Sequence, residues 1–346
     1  MKALLLSQYR HLEMTDLPVP ELGRDEVLIR VAACGICGSD VHGYDGSSGR
    51  RIPPIVMGHE AAGTIVALGA DVKKFSEGDR VTFDSTIYCG SCANCIRGDI
   101  NLCDNRQVVG VSCADYNRAG AFAEFVAVPA RIVYRLPEIL PFEEAAMLEA
   151  VSVALHAVSL IPVHPQDKAL VVGAGMIGLL ILQALHAAGC SHIYVSDLDQ
   201  TRLNLAQELG VATTLPAGPG LLSQVMAVTE GVGMDLVIEA VGIDATVKAA
   251  IDSVRKGGNV VLVGNVSPEV TLPLQKVVTR QIRLQGSCAS AGEYPRAMEL
   301  MSSESIRVKP LITAIAPLEE GPRWFERLYS REPNLMKVVL APGKIS

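Results

Sequence analysis

Ala169-Leu170-Val171-Val172-Gly173-Ala174-Gly175-Met176-Ile177-Gly178 is the stretch on which the fold turns. An apolar run enters three glycines spaced G-x-G-x-x-G. A segment of helix length follows, Gly175 to Ala188, and Asp197 closes the next apolar run 19 residues after Gly178. In a strand, turn and helix of this kind, Gly173 permits the tight turn and Gly175 lets the backbone approach a pyrophosphate. Gly178 lets helix and strand pack closely, and the helix N-terminus offers free N–H groups at the positive end of its dipole. The pattern predicts a nicotinamide-type dinucleotide site at Gly173, Gly175, Met176, Ile177 and Gly178. Asp197 can accept from ribose hydroxyls and would repel a 2′-phosphate, which predicts NAD over NADP. Arg202 reads either as a phosphate partner or as a solvated helix charge. Val241, Val263 and Gly264, at the ends of later apolar runs, complete the candidate cofactor surface.

Outward from this stretch, Ile193 to Ser196, Leu236 to Glu239, Val260 to Val263 and Ile282 to Gln285 are further apolar runs, separated by helix-length segments at Asp199 to Leu209 and Asp244 to Arg255. Runs that need not alternate in polarity belong to a parallel sheet covered by helices on both faces. The N-terminal part differs: short runs such as Val27 to Val31 and Gly63 to Leu68 lie between glycine, proline and aspartate, which is a β-rich texture. A chain of 346 residues exceeds one ordinary core. The expected division is a β-rich domain over 1–150, a dinucleotide-binding domain over 151–290, and a C-terminal segment, 291–346, returning to the first domain.

Apolar residues make up 49% of the chain, enough to offset the entropy of ordering the backbone. The net charge of −7 provides no basic field for nucleic acid or an anionic membrane, so neither partner is expected. A mean hydropathy of +0.31 invites a membrane reading between Lys168 and Asp197. Gly173, Gly175, Gly178 and Gly189 interrupt that segment, and a strand with a buried helix explains it better. Residues 1–10 lack the cleavage site of a signal peptide. Nine cysteines, an odd number, read as thiols and metal ligands in a reducing cytoplasm rather than as disulfides.

Cys89, Cys92, Cys95 and Cys103 are spaced C-x2-C-x2-C-x7-C. Four thiolates form a closed tetrahedral shell with no room for substrate, which suits a structural zinc; an iron–sulfur cluster ranks below it. A second set is dispersed: Cys37 in Gly35-Ile36-Cys37-Gly38-Ser39-Asp40, His59 in Gly58-His59-Glu60, and a carboxylate further along.

Gly58-His59-Glu60-Ala61-Ala62-Gly63, continuing to Gly69 and Val72, resembles the signature G-H-E-x2-G-x5-G-x2-V of the zinc-containing alcohol dehydrogenases in the medium-chain dehydrogenase/reductase family. The similarity extends over Gly35 to His42, the four-cysteine lobe, the dinucleotide glycines, Glu239 to Gly242, Gly257-Gly258 and Lys337 to Leu340. The resemblance implies an α/β fold, with a GroES-like β-rich catalytic domain and a Rossmann doubly wound parallel sheet. It also implies two zinc ions per chain, the catalytic one held by Cys37, His59 and a third group. Met147 to His156 is similar to the polyol and sorbitol dehydrogenase segment E-P-x-x-V-x-x-H, which places Glu149 as ligand or water-bridged group, although Ala150 stands where proline is usual. By the same resemblance Glu60 is an exchanging or neighbouring ligand, Asp40 orients the zinc histidine, and Ser39 and His42 relay the alcohol's proton to water.

The chemistry fits these residues. A zinc with three protein ligands keeps a position for an alcohol oxygen and makes that hydroxyl acidic, while hydride passes to a nicotinamide held at roughly 3 to 3.5 Å. The expected activity is NAD-dependent oxidation of a secondary alcohol in a polyol, sugar alcohol or vicinal diol. Alternatives are a threonine 3-dehydrogenase, a galactitol-1-phosphate-type dehydrogenase or a non-catalytic nucleotide-binding protein. Sorbitol dehydrogenases place an arginine and an aromatic where this chain has Ser287 to Ser290, which counts against sorbitol itself. A homodimer or homotetramer is expected, with Ile282 to Gln285 as a possible pairing edge. Cys34 and His156 read as buried core residues, and Arg50 and Arg51 as a solvated loop pair.

Overall fold

The structure, a computed structural model, describes residues 1–343. The chain forms two units: Met1–Glu149 with Ser290–Ser302 and the chain from Val308 onward, and Ala150–Ala289 with Ser303–Arg307.

The second unit is built on a six-stranded, wholly parallel sheet. Its strand order is Thr213–Thr214, His192–Ser196, Lys168–Val172, Met234–Glu239, Val254–Leu262 and Arg283–Gly286. The order reverses beside Lys168–Val172, the switch point where a doubly wound sheet opens a crevice for ligands. The Met176–Ala187 helix leaves that strand with every residue from Gly178 to Leu185 buried, which accounts for the apolarity of the whole segment. Among the described residues no helix is long and apolar enough to cross a membrane. Sequence periodicity did not anticipate the Leu221–Val228 helix or the two-residue edge strand Thr213–Thr214.

The glycines of the turn divide their work. Gly173 has φ +104°, a left-handed conformation that a side chain would strain. A Cβ on Gly178 would collide with the Gly173 carbonyl oxygen, whereas one on Gly175 would meet nothing within 4 Å. The space over Gly175 is therefore open to a ligand.

The first unit is mostly antiparallel. Its largest sheet runs Val133–Arg135, Arg80–Phe83, Glu60–Leu68, Glu26–Gly35, Lys337–Ala341 and Ile312–Pro317, with Phe125–Pro129 also paired to Glu26–Gly35. Only the last two of the six are parallel to each other. Leu4, Ile29, Ile65, Phe83, Phe122 and Phe325 fill the core. Register positions the site: Gly35 lies opposite Glu60 on one side and Val339 on the other.

Residues 303–307 depart from the expectation that everything after 290 returns to the first unit. They are held by Gln183, whose Oε1 accepts from Arg307 N at 2.7 Å and whose amide donates to Arg307 O at 3.2 Å. The Arg307 guanidinium also donates to the carbonyls of Glu208 and Leu209.

Gly178→Ala is expected to cost about 2 kcal/mol or more through overpacking, seen as a lowered melting temperature. Gly175→Ala is expected to leave the melting temperature nearly unchanged while weakening NADH binding, measured by fluorescence titration.

Candidate functional site

The cysteine lobe assembles locally. Cys92 precedes the short Ala93–Arg97 helix, whose C-cap, Gly98, takes the left-handed conformation at φ +94°, and Cys103 follows a single 3-10 turn. The four sulfurs lie within 4.8 Å of one another, with Cys89 to Cys95 and Cys92 to Cys103 both at 4.0 Å. A zinc–sulfur tetrahedron with bonds of about 2.3 Å has edges of roughly 3.8 Å, so the cage has the right size. Backbone amides donate into it: Ser91 N and Cys92 N to Cys89 Sγ, and Cys89 N to Cys103 Sγ. The Ser91 and Cys92 hydrogen bonds pull the Cys89 thiol down to about 5. Burial and the neighbouring thiols push Cys95 up to about 12, a repulsion that a divalent cation relieves.

The second cluster joins distant segments. Cys37 ends the turn before the Gly38–Tyr44 helix, Glu60 begins the Glu60–Leu68 strand opposite Gly35, and His59 immediately precedes it. Their donor atoms also lie within 4.8 Å of one another, with His59 and Glu60 buried. Asp40 is fully buried: one oxygen accepts from Cys37 N at 3.2 Å, and the other faces His59 Nδ1 at 3.3 Å, close but without hydrogen-bond alignment. Burial opposes ionisation of Asp40, but His59 and Arg51 overcome it and hold the carboxyl well below the usual range. Burial likewise opposes charge on His59, yet Asp40 and Cys37 draw its affinity for a proton well above normal. A metal ion taking a nitrogen of this ring must displace the proton, so binding there weakens as the pH falls.

Glu149 stands apart from this cluster. Ser85 Oγ donates to its Oε1 at 3.3 Å, and burial pushes its pKa up to about 7, with His59 opposing and Glu60 and Asp84 adding to the rise. The structure thus brings Cys37, His59 and Glu60 together and leaves Glu149 adjacent, where a rotamer change or a bridging water would be needed for it to join.

Two buried cations were not recognised from sequence. Lys337 Nζ reaches Glu60 Oε2 at 2.6 Å and the Ile36 carbonyl at 3.1 Å. Burial lowers its basicity, but Glu60, Cys37 and Glu149 more than restore it. Arg51, expected to be a solvated loop residue, is 4% exposed and donates to Asp40 Oδ1 at 3.0 Å. The correction has a physical reason: a buried carboxylate requires a partner, and the arginine supplies it. A lysine opening the otherwise apolar run 337–341, and an arginine eight residues before His59, were the available signals.

Of the proposed relay residues, Ser39 and His42 are exposed and three apart on the Gly38–Tyr44 helix, so they share a face. Cys34 is buried, and that burial raises its thiol pKa; His156 is also buried. Ser290 donates to buried Asp84 at 3.2 Å. In the second unit, Asp197 accepts from Ala174 N at 2.7 Å and Asp199 N at 2.9 Å, so its carboxylate also pins the glycine turn. Arg202 sits 4.0 Å from Asp197 and 3.7 Å from Asp199 and is 44% exposed. Val241 donates to Glu239 Oε1, and Val263 and Gly264 to the Glu239 carbonyl, at the ends of adjacent strands.

With this geometry in view, residues 23–138 match the alcohol dehydrogenase GroES-like domain and residues 177–303 the zinc-binding dehydrogenase domain. The chain is 33% identical to sorbitol dehydrogenase of Bacillus subtilis (strain 168) over 99% of its own length and 98% of the relative's. It is 36% identical to the human sorbitol dehydrogenase, covering 91% and 89% of the two chains. The solved structure of an alcohol dehydrogenase from Thermus sp. ATN1 superposes with a TM-score of 0.91 at 31% identity, covering 99% of each chain. The protein belongs to the zinc-type alcohol and polyol dehydrogenase family and is an oxidoreductase.

Replacing one thiolate should open the closed cage. Cys92→Ser is expected to lower zinc content by about one ion per chain and the melting temperature with it. Unchanged zinc by elemental analysis would contradict the four-thiolate site.

Proposed function

We propose that the protein oxidises a secondary hydroxyl of an uncharged polyol, sugar alcohol or vicinal diol, using NAD and a zinc ion held by Cys37 and His59, with Glu60 or Glu149 as the third group. The observation that carries this reading is the charge arrangement. Asp40 has Arg51 and Glu60 has Lys337, while the Cys37 sulfur and a His59 nitrogen, within 4.8 Å of each other and of a Glu60 oxygen, are left to share a divalent ion, with Glu149 adjacent. Held by these residues, a zinc ion would make the alcohol hydroxyl acidic, and NAD would be the hydride acceptor.

The chain's own residues do the rest. Asp40 faces the His59 ring on its Nδ1 side at 3.3 Å, which leaves Nε2, 3.5 Å from Ser39 Oγ, for the metal. Ser39, exposed beside His59, takes the hydroxyl proton, and His42 on the same helix face delivers it to water. Asp197 favours ribose hydroxyls over a 2′-phosphate. Both buried cations are engaged by carboxylates, which argues against a phosphorylated substrate. In the second unit, the edge strand Arg283–Gly286 and the exposed Val266, Leu272, Leu274 and Val278 support a homo-oligomer. Nine cysteines, none paired in a disulfide among the described residues and five of them assigned to zinc, support a cytoplasmic setting.

The test is NADH appearance over xylitol, sorbitol, galactitol, galactitol 1-phosphate, 2,3-butanediol and L-threonine, repeated with NADP. A neutral polyol or diol with NAD should give the highest kcat/KM, and Cys37→Ala should lower it by about a thousandfold or more while NADH still binds. Preference for the phosphate ester, for threonine or for NADP, or retained turnover in Cys37→Ala, would contradict this reading.

A further inference from the structure

Arg51 makes a second contact that neutralising Asp40 does not require. The same Nη2 that donates to Asp40 Oδ1 also donates to Ser39 Oγ at 3.3 Å, while Nη1 donates to the Arg50 carbonyl at 3.0 Å. Its backbone is anchored. Ile52 N donates to Ser112 O at 3.1 Å, Ser112 N to Arg50 O at 3.4 Å and Ser112 Oγ to Ile52 O at 2.6 Å, so residues 50 to 52 are clamped to the strand Val111–Ser112. The stem passes under the Gly38–Tyr44 helix at Gly43, where any side chain would collide with it. A rigid arm thus carries a buried guanidinium to the underside of an exposed serine.

We propose that Arg51 is a positioning residue for the relay serine, an inference that rests on the relay assigned to Ser39 above. A guanidinium has five donors and no acceptor. Ser39 can therefore only accept from Arg51, and its own hydrogen must point elsewhere. One oxygen lone pair is thus filled from below, the other is left to accept the proton of the substrate hydroxyl, and the serine hydrogen is directed outward to the next acceptor. When the proton moves, the bond from the substrate oxygen to hydrogen breaks, the bond to Ser39 Oγ forms, and the original Ser39 proton leaves outward. Arg51 keeps all its protons. Lysine would not substitute fully, because a single ammonium nitrogen cannot reproduce the planar fork.

The test is a double-mutant cycle of Arg51→Gln and Ser39→Ala in the zinc-loaded enzyme, using the best alcohol from the screen above. Arg51→Gln is expected to lower kcat about tenfold, with KM for the alcohol changed by less than about twofold. Zinc per chain and NADH affinity should stay at their wild-type values. In the Ser39→Ala background, which is itself slow, adding Arg51→Gln should change kcat by less than about twofold, because the group it acts through is already gone. If Arg51→Gln does not fold, Arg51→Lys, which keeps the charge beside Asp40, carries the same cycle with an expected loss of about fivefold. The same fold loss in both backgrounds, or wild-type kcat in the folded Arg51 variant, would overturn the proposal while leaving the relay intact. Wild-type kcat in Ser39→Ala would overturn the relay itself and this inference with it.

Discussion

Buried charge is the constraint on which the first unit depends. Around Cys37 and His59 the chain buries Asp40 and Glu60, with Glu149 half-buried nearby. An unpartnered charge in such a setting costs several kcal/mol, and removing one member of a buried pair costs about 3–5 kcal/mol. Asp40 and Glu60 are therefore each matched with a cation brought from elsewhere in the chain. Arg51 comes from the loop after the Gly38–Tyr44 helix and Lys337 from a strand near the C-terminus. What is left, a thiol and an imidazole within 4.8 Å of each other, is a donor pair that suits a divalent ion. The pairing also limits Glu60: held at 2.6 Å by Lys337, its Oε2 is engaged before any metal arrives.

Backbone register turns this constraint into a place. Because Glu60 and Val339 flank Gly35 on neighbouring strands, the metal-binding segment and the Lys337 strand meet at one residue, and a Cβ at Gly35 would run into the Glu60 carboxylate. The cysteine lobe solves a different problem. Its four thiols come from fifteen consecutive residues and backbone amides point at sulfur; with a zinc held by all four, as proposed, the shell would be closed and offer no site for chemistry. An open shell with mixed donors and a closed shell with four thiolates are thus separated by composition as well as by position.

Local pattern made the parallel sheet and the cysteine cage legible. The glycine turn, the strand before it and the acid at Asp197 lie within 30 residues, and each has a role fixed by backbone geometry. Cys37, His59 and Glu60 were reached through resemblance, since a lone cysteine and a lone histidine carry no spacing. Arg51 and Lys337 were missed for a related reason: their roles depend on partners 11 and 277 residues away, and a lysine in an apolar run or an arginine shortly before His59 does not by itself name such a partner. Residues 303–307 group with the second unit, where Arg307 is tied by its backbone to Gln183, 124 residues away, and by its guanidinium to the carbonyls of Glu208 and Leu209. Long-range pairing is the information that periodicity lacks.

The most direct test of the account is anomalous diffraction at the zinc absorption edge from crystals of the zinc-loaded protein. Two ions per chain are expected, at distances near those of zinc–sulfur and zinc–nitrogen bonds, about 2.3 and 2.1 Å. One should be bonded to Cys37 Sγ and His59 Nε2, with Arg51 still against Asp40, and the other enclosed by the four lobe cysteines. A single ion confined to the cysteine lobe, with Cys37 and His59 turned apart, would contradict it.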